Sequence, residues 1–183
     1  ATEHSADQVD FVRRFGNPVY YGDPAKPELL RSCGADQVKV FVIAIDGVEE
    51  SLRTVETIRR LYPDATVFAR ARDRRHAWEL MDLGARAIRE TFYSSLKMGE
   101  KVLVELGLSE DVARQHAEQF REHDLRLLHA QSLIRDDEDA LLQSTQDARR
   151  ELEELFNADS GTGMLNEIAD ATRKDMAAVD EEE

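Results

Sequence analysis

The rhythm of hydrophobic and polar positions changes once along the chain, just after Arg89. Before that point short apolar runs alternate with stretches whose apolar residues recur three or four apart. "DQVDFVRRFG" sets Val9, Val12 and Phe15 on one helical stripe, with Gly16 where a C-cap belongs. "NPVYYGD" reads as a short strand. "PAKPELLRSCGA" reads as a helix with proline at its start, Leu29, Leu30 and Cys33 facing inward, and Gly34 past its last turn. "VKVFVIAID" is an almost unbroken apolar run of strand length, the pattern of a parallel strand covered on both faces. Next, "GVEESLRTVETIRRLYP" places Val48, Leu52, Val55 and Tyr62 on one stripe, and "ATVFARA" is a strand. "RDRRHAWELMDLGA" is a helix closed by Gly84, and "RAIRE" is a last brief strand. Short strands alternating with helices of about 10 to 15 residues predict an α/β fold with a doubly wound parallel sheet over residues 1–91.

Beyond Arg89 only helical spacing remains. "TFYSSLKMGEKVLVELGL" has Phe92, Leu96, Gly99, Leu103 and Leu106 on one stripe, while Tyr93, Met98, Val102 and Val104 add apolar surface elsewhere. A helix apolar on more than one face needs a second partner, and Gly99 lets another backbone come close, so a dimer contact is predicted. From Ser109 to about Phe156 the chain is almost free of the Gly and Pro that break helices, and Ser109 with Glu110 and Asp111 makes a good helix start. Ile134, Leu141, Ala148 and Leu155 recur at seven with Leu152 between, predicting a short coiled coil weakened by Glu138 and Thr145. Residues 92–158 are thus read as a helical dimerisation segment and 159–183 as a loose acidic tail.

Composition narrows the function classes. A net charge of −14 argues against nucleic acid or anionic lipid as a general partner, since both need clustered Lys and Arg. The lone Cys33 forms no internal disulfide and suits a reducing compartment. No apolar run approaches the roughly 20 residues of a membrane span. The first residues, "ATEHSADQV", lack an initiator Met and the features of a signal peptide, so the sequence is read as a piece of something larger.

Candidate binding residues lie at strand ends, where open α/β sheets gather their ligands. Gly22 and Asp23 follow one strand. The carboxylate either caps a helix beginning at Pro24 or accepts from a ribose or adenine. Asp46 ends the next strand with the same two readings. Glu3 falls where a dinucleotide fold places its ribose acid, at the end of a second strand, which implies that a first strand and glycine loop precede this sequence. Arg70, Arg72, Arg74 and Arg75, followed by Arg86 and Arg89, concentrate positive charge in an acidic chain. They either grip a carboxylate or phosphate or pair with surface acids. His116, His123 and His129 lack the further ligands a metal needs, and no metal is expected. No nucleophile with its base and no paired catalytic carboxylates emerge, so no enzyme activity is expected.

Taken together, "VYYGDPAKPELLRSCGADQVKVFVIAID", "FARARDRRHA" and "IRETFYSSLKMGEKVLVELGL" resemble the regulatory domain of the bacterial glutathione-gated potassium efflux proteins, the Kef family. The ordered run "RARD", "RETF", "LGL" is the specific part, and the likeness spans about Glu3 to Phe120. The resemblance implies a Rossmann-like KTN or RCK module that dimerises through a crossover helix. It implies a nucleotide, AMP or NAD(H), near Glu3, Gly22, Asp23 and Asp46, and glutathione near Arg89 and Arg72. "FREHD" is similar to a family stretch whose asparagine contacts glutathione, which puts Asp124 in that role. The aspartate is a departure, because it repels a ligand carboxylate unless a cation offsets it. The partners implied are a homodimer mate, a transmembrane antiporter domain of the same protein in the inner membrane, and an ancillary flavin-containing oxidoreductase of the quinone type. Two rivals remain: an NAD-binding oxidoreductase, and a potassium-channel RCK domain gated without glutathione.

Overall fold

The computed structural model describes residues 1–3, 5–16 and 19–159. The expected acidic tail lies outside them from residue 160 on, as does the side chain of Leu155 in the heptad pattern. The chain forms two compact units, one running from Ala1 to Ser95 and a second beginning at Leu96.

In the first unit, β1 (Thr2–Glu3), α1 (Ala6–Arg13), β2 (Tyr20–Tyr21) and α2 (Pro27–Ser32) are followed by a 3-10 turn at Ala35–Gln37. Then come β3 (Val40–Ile43), α3 (Val48–Leu61), β4 (Thr66–Ala71), α4 (Arg74–Asp82) and β5 (Arg86–Arg89). All pairings are parallel. β1 pairs with β2, and β4 lies between β3 and β5 in a three-stranded sheet. These parallel strands with intervening helices are the Rossmann-like arrangement expected from the sequence. The alternation explains which face holds the core: Phe41 and Ile43 of β3 and Val67, Ala69 and Ala71 of β4 share one side and are buried. α3 and α4 pack against these strands and contribute Val55, Ile58, Ala77, Trp78 and Leu80. Each large side chain fully buried there stabilises by about 1.5–3 kcal/mol.

Three expectations are corrected. β3 is covered on one face only: Phe41 and Ile43 are buried, but Val42 is 73% exposed and Val40 is exposed too. α3 packs against β3, and only the side carrying Phe41 and Ile43 is covered, so the unbroken apolar run records two different environments. On α3 the buried positions are Ser51, Thr54, Val55, Thr57 and Ile58, whereas Val48, Leu52 and Tyr62 are half-buried. Small hydroxyl residues suit a close helix-to-sheet approach, and the Thr54 hydroxyl is satisfied by donating to the Glu50 carbonyl at 2.7 Å. Phe15 is exposed, because α1 ends at Arg13 and its stripe stops there; the ring packs edge-on against Phe11 with centroids 5.2 Å apart.

α5 (Phe92–Glu105) crosses from the first unit into the second, and none of its described residues is buried. The second unit holds α6 (Glu110–Ser132) and α7 (Glu138–Asp159). Ser109 caps α6 as expected, its hydroxyl accepting from the Val112 N–H. No Gly or Pro announces the turn between the helices. It is fixed by Asp137, whose carboxylate accepts from the Ala140 N–H at 3.0 Å. The helices run antiparallel, since Gln131 meets Thr145, His123 meets Glu151 and His116 meets Phe156. Thr145, expected to weaken the heptad, takes part in this seam: its hydroxyl accepts from Gln131 Nε2 at 3.1 Å and donates to the Leu141 carbonyl at 2.8 Å.

Candidate functional site

Two clusters form at the carboxyl ends of the parallel strands. The first is built by β1 and β2. Register pairs Glu3 with Tyr21, and the Gly22 N–H donates to the Glu3 carbonyl at 2.9 Å, so Glu3, Gly22 and Asp23 come together. Gly22 has φ of 144°, a conformation that side chains rarely adopt, and a Cβ there would press on Leu29 at 3.1 Å. The Glu3 carboxylate accepts from the Ser5 N–H at 2.9 Å. Asp23 caps no helix: α2 starts at Pro27, and the carboxylate instead accepts from the Ala25 N–H at 2.9 Å, closing a turn ahead of it.

The second cluster lies across β3, β4 and β5. Asp46 is not the cap of α3, because that position is Gly47. Its carboxylate, 86% exposed, pairs with Arg70, which also donates to the Ala44 carbonyl at 3.1 Å. On its other side Arg70 pairs with Glu90 at 3.3 Å, and Arg72 donates to the Asp46 carbonyl at 3.3 Å. A cavity of about 270 Å³ opens here, lined by Val42, Phe68, Arg70, Ile88, Glu90 and Tyr93 among others. Arg89 also lines it, with its guanidinium 4.0 Å from the centre of the Phe92 ring. The wall is apolar on the uncovered sheet face and charged at the strand ends. That combination suits a small organic anion.

The turn bearing Arg72 is held by a buried histidine. His76 is 2% exposed. Its Nδ1 accepts from the Arg72 N–H at 3.2 Å, while its own backbone N–H donates to Asp73, the cap of α4, at 2.8 Å. Nε2 has no hydrogen-bond partner among the described residues. Burial lowers its pKa, with Asp73 and Glu79 opposing, so the ring favours its neutral form.

The structure brings Glu3, Gly22 and Asp23 together, and joins Asp46 to both Arg70, through its carboxylate, and Arg72, through its carbonyl. Asp124 is buried on α6, in the second unit, next to His123 in sequence. His116 and His123 spend their buried faces on α7, His116 edge-on to Phe156 and His123 3.6 Å from the Glu151 carboxylate. Among the described residues no cluster of His, Cys, Asp and Glu could hold a metal ion, and no helix is long and apolar enough to cross a membrane. Sequence reasoning counted Arg70 only as one of several arginines and passed over Glu90. The signal was the alternation in "TVFARA", which sets Arg70 on the side of Phe68, against Ile88 of β5.

Comparison with known proteins follows this division of the chain. Residues 1–90 match the family model of the TrkA-N domain. Residues 94–178 match that of the potassium efflux system KefB C-terminal domain. Among solved structures, the chain is similar to the Kef CTD of Shewanella denitrificans in its AMP-bound form. The identity is 38% and the TM-score 0.66, with 73% of this chain and 82% of that chain covered.

Proposed function

Because the chain belongs to the Kef family of potassium efflux C-terminal domains, we propose that it senses cytoplasmic glutathione together with a nucleotide and gates a potassium/proton antiporter. It is a regulatory domain and not an enzyme. The nucleotide, AMP in preference to NAD(H), sits at Glu3, Gly22, Asp23 and Asp46; the AMP-bound state of the Shewanella relative supports that choice. Glutathione engages Arg89 and Arg72, with Asp124 as a further contact. The observation that carries this reading is the cavity at the ends of β3, β4 and β5. It brings arginine side chains to an apolar wall in a chain of net charge −14, which is what a small dicarboxylate peptide requires.

The domain acts as a homodimer. α5 exposes Tyr93, Met98 and Val102, Leu106 just past its end is exposed too, and, the helix's own backbone aside, nothing among the described residues comes within 4 Å of a Cβ placed on Gly99. A second copy covers this helix, and a ligand that prefers one dimer arrangement shifts the equilibrium by its difference in affinity. The arrangement belongs on the cytoplasmic side of the inner membrane, joined to an antiporter domain and assisted by a flavin-containing oxidoreductase of the quinone type. Calorimetric titration with glutathione and AMP tests this reading. Binding of both is expected, with glutathione weakened about tenfold or more in Arg89→Ala. Turnover of a nicotinamide, or no glutathione binding by the dimeric protein, would overturn it.

A further inference from the structure

Arg70 stands between two acids of unequal tenure. On the β3 side it donates to the Ala44 carbonyl at 3.1 Å and pairs with Asp46, so two groups fix its position. On the β5 side it meets only Glu90, at 3.3 Å, with side-chain exposures of 32% for Arg70 and 43% for Glu90. The Glu90 backbone is locked, its N–H donating to the Ala71 carbonyl at 2.9 Å, and the carboxylate reaches Arg70 from the cavity wall. A half-exposed pair of this kind is weak, whereas a carboxylate taking an arginine through two parallel hydrogen bonds is held more strongly.

We propose that Glu90 is an internal competitor for the ligand: it neutralises Arg70 in the empty groove, and a ligand carboxylate takes Arg70 in its place. Arg70 is thereby the specificity-determining cation of the groove. Register supports this, since Arg70 lies against Ile88 on the face that carries Val42 and Phe68, the apolar wall of the cavity. The ligand class that fits is a small carboxylate with an apolar or peptide-like body. Displacement leaves Glu90 in solvent at little cost, while Asp46 and Ala44 keep the guanidinium in place. The inference rests on reading the groove as an anion site, but does not depend on the anion being glutathione.

The test is calorimetric titration of the wild type, Glu90→Gln, Arg70→Met and Arg70→Lys with glutathione and, separately, with succinate. Glu90→Gln is expected to tighten binding about two- to fivefold, the equivalent of the lost surface pair. Arg70→Met is expected to weaken it about tenfold or more, with partial recovery in Arg70→Lys. A variant that merely disturbs the fold would weaken binding, so tightening in Glu90→Gln is the diagnostic result. Succinate binding in this order without glutathione binding supports the inference and overturns the glutathione reading. Glutathione binding equally to all four proteins preserves that reading and overturns the inference. Binding of neither probe overturns both.

Discussion

The two faces of the three-stranded sheet both carry apolar side chains and meet opposite fates. One face, with Phe41, Ile43, Val67, Ala69 and Ala71, is buried under α3 and α4. The other, with Val40, Val42 and Ile88 exposed, forms the wall of the candidate groove. Stability therefore resides on one side, and the proposed recognition on the other, within strands of four to six residues. An apolar side chain left in water contributes little to folding until something covers it, which makes this face a surface for ligands or for a second chain.

The covered face should dominate unfolding. Ile58→Ala empties a site of zero exposure, and its cost is expected at about 2–5 kcal/mol, read as a lower denaturant midpoint. A smaller effect comes from His76 at the rim of the same core. Its pKa is lowered in the folded protein, so its contribution is fully present above the ordinary histidine value near 6.5 and is lost as pH falls through the folded value. The thermal midpoint should drop on acidification through that window, and His76→Gln should reduce the drop. Protonation also turns Nδ1 from acceptor to donor, loosening the turn that carries Arg72. The smallest effect belongs to the open face. Val42→Thr should change the stability of the monomer by no more than about 0.5 kcal/mol. A markedly larger loss that grows with protein concentration would mean that a second copy covers this face.

Much of the fold was legible because glycine, proline and period mark its helices. Gly16, Gly34 and Gly84 all take positive φ after the helices they follow. The strands were legible as apolar runs, but a run does not reveal that only one face is covered, since that depends on helices packed from elsewhere in the chain. The turn after α6 was hidden because an aspartate side chain makes it without glycine or proline. At the site, the acids at strand ends stood out singly. Glu90 did not, because its role comes from parallel pairing of β4 with β5, which brings it to an arginine twenty positions earlier.

The central claim is that one chain holds a nucleotide at the ends of β1 and β2, together with Asp46, and an anionic peptide in the groove across β3, β4 and β5. Hydrogen-exchange mass spectrometry with AMP and with glutathione added separately reads this directly. The account predicts that AMP slows exchange in peptides spanning residues 19–26 and in the one containing Asp46, and that glutathione slows it in those spanning 86–93. Protection of one and the same region by both ligands, or of neither region by its own ligand, would contradict it.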